Sequence, residues 1–419
     1  MENGKKDRIN AIFRVILLTL AGSYIYATYS GIRNNFGIML NPIMENSHIS
    51  FTSVSFILAA GQLVFGLVQP AFGIIAAQKG NVYALVSGVI LTVTGMILTP
   101  LCKSATTLML CLGFILSAGT GAISYGIIIE TITTKVSRKV IPFVSGVINA
   151  SSGIGNTIFS PITDFLIRTG GLMYGMSILA ISVVLTLPVS LLMGKKEKGS
   201  RSESAETVSP SLPRTARINI RAMFQKAFYS KTYLYLSIGF FTCGFHMALI
   251  LNHLPTQIQS FGFSSESTAY AFSIYGIVTM LGSILSGSLC GKFKMKNVLG
   301  FYYGLRPITI LCFLFIPKTL WTVTLFTALF GFSGAATVPP VSGIIDKTFG
   351  TESIATLYGL VYVVHQLGGF FGAWFGGICF DMTGSYTAIW IVGIVLGVAA
   401  SAISFAIKET QHDCKVALA

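Results

Sequence analysis

The chain has 419 residues, 53% of them hydrophobic and 10% charged, with a formal net charge of +14 and a mean hydropathy of +0.75. So apolar and charge-poor a composition excludes a single water-soluble domain. The positive charge raises nucleic acid as a partner, but its placement along the chain argues against that.

Apolar runs of about twenty residues recur along almost the whole length, each long enough to cross roughly 30 Å of hydrocarbon. They predict an all-α membrane protein with twelve spans, at 12–38, 52–77, 82–101, 106–131, 140–167, 171–193, 232–258, 266–290, 297–316, 320–345, 353–380 and 385–407. The runs do not alternate as β-barrel strands would. The first is too long for a cleavable signal and lacks a small-residue cleavage site, so it reads as a retained helix. The expected organisation is an N-terminal six-helix bundle (1–193), a linker (194–231), a C-terminal six-helix bundle (232–408) and a tail (409–419). The linker is polar and basic, and its "INIRAMFQKAFYS" stretch suits an amphipathic surface helix.

Basic residues set the orientation. Both termini and the linker belong on one side, with nine Lys and Arg from Lys195 to Lys231. Apart from Arg33 and Arg306, which lie inside spans, the opposite side receives only Lys103, Arg168 and Lys318. This bias places both termini in the cytoplasm. The positive charge is therefore topological, and no nucleic-acid partner is expected. The seven cysteines are scattered without a CxxC pair and fall mostly in apolar runs, as packing residues do.

Charged groups deep in a membrane helix are rare and usually face a cavity. Arg33 lies in "GIRNNFGIML" of the first run, and Arg306 lies mid-way in the ninth. Each offers a planar fork of donors that suits a carboxylate. Neither has an acidic neighbour within one helical turn, so each either meets a cargo anion, pairs with Glu130 or Asp164 across the fold, or caps backbone carbonyls; for Arg306, snorkelling or bracing the neighbouring helices is a further alternative. Asn34, Gln62, His246, Asn252 and His365 join the two arginines as candidate substrate-binding residues. Glu130 and Asp346 sit in "YGIIIE" and "SGIID", near the same boundary in the two halves. With His253 they are the candidates for proton coupling or gating. Pro255 can bend the seventh helix, and "TVPPVSG" should break the tenth. Gly368, Gly372 and Gly376, four apart, suit either a sliding interface or tight static packing. Tyr24, Tyr26, Tyr29, Tyr275, Tyr302, Tyr303, Tyr358 and Tyr362 are candidate cavity linings. No HExxH, CxxC or acidic cluster appears, so neither metal nor cofactor is expected.

A weak repeat relates the halves: Gly146 to Gly170 in the fifth run matches Gly359 to Gly384 in the eleventh. With "GQLVFGLVQPAFGIIA", "FFTCGFHMALILNHLP", "YYGLRPITI" and "LYGLVYVVHQLGGFFGAWFGGICFDMTGSY", the chain resembles the major facilitator superfamily, in particular its bacterial monocarboxylate-transporter-like branch. The resemblance implies two pseudo-symmetric six-helix bundles with the substrate site between them. Two departures stand out. "GIIAAQKGN" carries Ala77 and Gln78 where the superfamily's signature has an acidic and a basic residue. The eighth helix lacks the Asp and Arg of animal monocarboxylate carriers.

No phosphate-binding GxxxxGK[ST] loop exists, so nucleotide hydrolysis is not the energy source. The expected protein is not an enzyme. It is a monomeric secondary transporter in the inner or plasma membrane, moving a small organic anion by alternating access, with protons or a counter-anion as co-substrate. The alternative is an efflux carrier for a larger amphipathic or zwitterionic compound.

Overall fold

The computed structural model describes residues 2–133, 135–136, 140–194, 227–349 and 354–409. Among these, eleven helical stretches are long and apolar enough to span a bilayer. One of them, Gly146–Met193, has 48 residues, about 72 Å of helix, more than twice the hydrocarbon thickness. It breaks at Gly171, whose φ of 76° and ψ of 179° suit glycine and few other residues. That stretch is therefore two spans, as the sequence predicts, and the total is twelve. The expected surface helix near Ile218 lies largely outside the described residues, as does all but Glu409 of the tail.

Several spans are interrupted, and the interruptions position the polar residues. Helix one ends at Arg33 and resumes as Phe36–Ser47. Helix seven runs Lys231–Ala248, widens into a π-turn at Leu249–His253, and continues as Leu254–Ser260. Pro255, which has no N–H to donate, sits just after that turn. Helix ten changes to a tight 3₁₀ turn at Ala335–Thr337, just before Pro339 and Pro340.

Helix one packs on helix five, and helix seven on helix eleven, each within its own half. The halves meet where helix two (Phe51–Lys79) crosses helix eleven (Ile354–Thr383), and where helix five crosses helix eight (Ser265–Cys290). Glycines set these distances. A Cβ on Gly368 or Gly244 would fall on the carbonyl oxygen of Phe241 or His365. The ladder Gly368, Gly372 and Gly376 therefore seats helix eleven on helix seven inside one half. Both readings open from sequence, a sliding interface and static packing, need such a close helix contact, and here it lies within one half.

Candidate functional site

Arg33 is the last residue of the first segment of helix one. A cation there meets the partial negative charge of the helix C-terminus. The chain then turns through Asn34 and Asn35. Asn35 is fully buried. Its Nδ2 donates to the Gly31 carbonyl at 2.6 Å and to Asn156 Oδ1 at 3.4 Å, and its Oδ1 accepts from Ser160 Oγ at 2.7 Å. The side chain satisfies backbone that the break sets free and ties the break to helix five.

The Arg33 guanidinium donates through Nη2 to Gln62 Oε1 and stands 3.7 Å from the centroid of the Phe65 ring. Tyr26 of helix one and Tyr362 of helix eleven lie close enough to interact electrostatically with it. Among the described residues no carboxylate contacts it. Asp164 is engaged elsewhere, accepting from Arg168 Nε at 2.8 Å. Helix two thus supplies a neutral acceptor and an aromatic face, and both leave the positive charge uncancelled.

Around this cation the walls are aromatic and come from both halves. Tyr26 packs against Tyr125 of helix four at 5.5 Å between centroids. On helix eleven, Tyr362 stacks on His365 at 5.4 Å with ring planes 5° apart, and on Tyr358 at 6.4 Å. Phe240 of helix seven covers His365 at 5.0 Å. Tyr26, Arg33, Gln62, Tyr125, Tyr358, Tyr362 and His365 are all half-buried. Their partial exposure at mid-helix, within reach of residues of the opposite half, marks a crevice between the halves.

The side remote from the termini is closed. Asp381 of helix eleven accepts from the backbone N–H of Thr52 at 2.9 Å and from its hydroxyl. Phe56 packs edge-on against Trp374 at 5.3 Å. Asn41 donates to Gln259 at 3.1 Å. Helices five and eight are laced by Asn156 to the Phe272 carbonyl at 3.1 Å, Thr157 to the Ser273 carbonyl at 3.0 Å, and Ser273 to the Thr157 carbonyl at 2.7 Å. Arg168 reaches Glu266 at 3.6 Å. Nearer the termini, a Cβ on Gly73, Gly146 or Gly359 would meet no described atom within 4 Å.

The other expected site residues scatter. Asn34 is half-buried beside Arg33 in the turn. His246 is fully buried and faces helix twelve, its Nε2 2.9 Å from the Gly393 carbonyl. His253 is buried, with Nε2 2.6 Å from the Ala373 carbonyl and Phe51 of helix two 5.9 Å away. Asn252 is buried where helix seven meets Gly37 of helix one, and donates to the Ala248 carbonyl at 3.0 Å. Arg306 is fully buried within the C-terminal half. Glu130 and Asp346 are exposed on the helices Tyr125–Thr133 and Val338–Phe349. Of the candidates, the structure gathers Arg33, Asn34, Gln62 and His365 in one region and leaves the rest apart.

Sequence reasoning missed Phe65, Tyr125 and Asp381. The first two carry no polar signal in an apolar run, and Asp381 sits beyond the run where any acid is cheap. Of the tyrosines named from sequence, Tyr26, Tyr358 and Tyr362 line the crevice. Tyr29, Tyr275, Tyr302 and Tyr303 are core residues, and Tyr24 is 42% exposed.

Known proteins share this architecture. The chain is 28% identical over 279 residues to the uncharacterized MFS-type transporter YcxA of Bacillus subtilis (strain 168), covering 63% of this chain and 65% of that protein. It is 25% identical over 278 residues to monocarboxylate transporter 12 of Mus musculus, covering 61% of this chain and 57% of that protein. The chain thus spans less than two thirds of the length of either relative. Among solved structures, that of a D-xylose-proton symporter superposes with a TM-score of 0.74 at 12% identity, covering 95% of this chain and 98% of that one. An inward-open structure of the xylose transporter XylE from E. coli superposes at 0.73, also at 12% identity; both show the fold alone. The family profile described as Major Facilitator Superfamily matches residues 22–373 and 236–416. With twelve spans in two six-helix halves and a match over most of its length, the chain belongs to the Major Facilitator Superfamily.

Proposed function

We propose that this protein is a secondary transporter of a small organic anion, monocarboxylate-like, working by alternating access. The observation that carries the reading is Arg33. It stands between the halves on a neutral glutamine and a phenyl face, with no carboxylate on it among the described residues. An uncompensated guanidinium in low dielectric is costly, and a cargo carboxylate bound bidentately would relieve that cost. Gln62 holds the fork in position, and Tyr26 and Tyr362 close over the cargo from the two halves. Of the histidines, His365 is the better placed to exchange a proton with the crevice, because His246 is sealed against helix twelve. In a symporter His365 would carry that proton; in an exchanger the arginine is neutralised by cargo in both directions.

The excess of basic residues beside the termini supports a cytoplasmic position for both, in the inner or plasma membrane. On that orientation the conformation is closed to the outside. The tyrosine lining favours a second reading, an efflux carrier for a larger amphipathic or zwitterionic compound.

The deciding experiment is uptake of a panel of carboxylates into proteoliposomes, with and without a pH gradient, for the unaltered protein and Arg33→Ala. Carboxylate uptake that depends on Arg33 supports the reading. Uptake unchanged in Arg33→Ala overturns it. Uptake that ignores the pH gradient and follows internal anion selects exchange over proton coupling.

A further inference from the structure

The walls around Arg33 select among anions by their chemistry. On helix eleven Tyr358, Tyr362 and His365 fall at i, i+4 and i+7, one face of a helix. Their rings follow one another in a column. Tyr358 and Tyr362 stack with centroids 6.4 Å apart, and Tyr362 and His365 stack at 5.4 Å with planes 5° apart. Phe240 of helix seven, itself buried, backs both ends of the column, 5.9 Å from Tyr358 and 5.0 Å from His365.

The facing wall belongs to the other half. Tyr26 of helix one meets Tyr125 of helix four at 5.5 Å with planes 56° apart, and the Arg33 guanidinium lies over Phe65 of helix two. Tyr26 and Tyr362 are within electrostatic reach of Arg33 and of each other. Tyr26, Tyr125, Tyr358, Tyr362 and His365 are half-buried and not sealed in the core. Each therefore keeps ring surface open to whatever occupies the crevice.

A short aliphatic acid would meet the charge of Arg33 and leave this ring surface against water. An aromatic acid would cover it. A planar fork holds a carboxylate in its own plane, and in an arenecarboxylate the carboxyl group is conjugated with the ring and nearly coplanar with it. Such a ring extends outward from the guanidinium as a flat plate, suited to the offset and edge-on contacts that aromatic side chains prefer. Charge narrows the class further. The other arginine inside a span, Arg306 of helix nine (Met295–Phe315), is fully buried and directs its Nη2 to the Ser333 and Gly334 carbonyls, so it is not available to a second cargo carboxylate. A cargo ammonium would add a positive charge beside Arg33.

We propose, taking Arg33 as the anion ligand, that the cargo is an aromatic monocarboxylate carrying no amine. Its carboxylate sits on Arg33, and its ring lies between Tyr26 and Tyr125 of one half and Tyr358 and Tyr362 of the other.

The test is calorimetric binding to detergent-purified protein at neutral pH, with benzoate, cyclohexanecarboxylate, pyruvate, 3-phenylpropionate and phenylalanine as probes. Benzoate should bind about tenfold tighter than pyruvate and several-fold tighter than cyclohexanecarboxylate, which has the same charge and a similar volume but no aromatic face. 3-Phenylpropionate should bind about tenfold tighter than phenylalanine. Tyr26→Leu and Tyr362→Leu, one from each half, should each shrink the preference for benzoate over cyclohexanecarboxylate. Should either variant fail to fold, the other variant and the ratios in the unaltered protein decide. Equal binding of benzoate and cyclohexanecarboxylate, or of phenylalanine and 3-phenylpropionate, overturns the proposal. If those pairs bind equally but Arg33→Ala abolishes binding of all the carboxylates, the aromatic preference falls and the anion reading stands. Binding of every probe unchanged in Arg33→Ala overturns both.

Discussion

The carboxylate of Asp381, at the end of helix eleven, sits 2.9 Å from the backbone N–H of Thr52 in the first turn of helix two, in the other half of the molecule. Helix two already has its own cap, with Ser50 accepting from Ser53 N. Asp381 takes a further orphan N–H, and its charge meets the positive end of the helix. The link joins the two halves on the closed side and must break if that side opens.

Asp381 is exposed, so the interaction is screened and amounts to about 1 kcal/mol. That is roughly a fivefold shift in the open-to-closed ratio. Ser55, fully buried against Gly377 nearby, is a natural reporter. Asp381→Ala should raise maleimide labelling of a Ser55→Cys background by about that factor. An unchanged labelling rate would place the lock in other contacts, such as the Phe56–Trp374 pair.

Gln62 is expected to matter for the cargo without meeting its charge. It fixes the Arg33 fork in a pre-set direction, and a hydrogen bond to a charged group contributes about 1.5–3 kcal/mol. Gln62→Leu should therefore weaken carboxylate binding tenfold or more by calorimetry. Arg33→Lys keeps the charge but loses the fork, and should weaken it as well. Wild-type affinity in both variants would remove the oriented guanidinium from the binding site.

The spans, the break at Gly171 and the unusual status of Arg33 are all legible in the sequence, because hydropathy reports which residues lie in hydrocarbon. It does not report which way they face. His246 and His253 are seven residues apart, a spacing that would put them on one face of a regular α-helix, but the π-turn at Leu249–His253 lies between them. His246 faces the Gly393 carbonyl of helix twelve and His253 the Ala373 carbonyl of helix eleven, and neither faces Arg33. Gln62 and His365 are no more polar than these, yet they lie in the crevice because helices two and eleven cross there. The role of Asn35 is visible only in the structure, where the helix break exposes the Gly31 carbonyl it satisfies.

Asn35 carries a stability prediction of its own. Asn35→Ala leaves the Gly31 carbonyl and the Ser160 hydroxyl without this partner in a fully buried position. Each unmet polar group costs about 1–3 kcal/mol. A loss of roughly 2–3 kcal/mol is expected in detergent unfolding, with helix content retained. A change below about 0.5 kcal/mol, the level of an ordinary surface substitution, would show that the break is held by packing alone.

Two glycines should respond oppositely to the same added methyl group. In Gly244→Ala the Cβ would land on the His365 carbonyl oxygen, so helices seven and eleven must separate. Overpacking of this kind costs about 1–3 kcal/mol or more. In Gly359→Ala the Cβ meets no described atom within 4 Å, and helix propensity favours Ala by about 1 kcal/mol. Thermal midpoints should fall for the first and hold or rise for the second. A tolerated Gly244→Ala would contradict the close approach of the two helices.

Glu409 gives a pH dependence on the terminus side. Its Oε1 accepts from the Lys296 N–H at 2.8 Å, and its Oε2 pairs with Lys347 Nζ at 2.9 Å, tying the start of helix nine to the end of helix ten. Partial burial alone would push this carboxyl up, but the Lys296 N–H and the Lys347 ammonium outweigh it and hold the group below its ordinary 4.5. A carboxyl depressed in the folded state adds stability that is fully present above its unfolded value and is lost as pH falls through the folded one. The stability gap between the unaltered protein and Glu409→Gln should therefore stay constant from neutral pH down to about 4.5 and narrow below it. Unfolding midpoints of the two proteins across that range give the measurement. A gap that persists unchanged into stronger acid would mean that Glu409 acts through its hydrogen-bonding shape and not its charge.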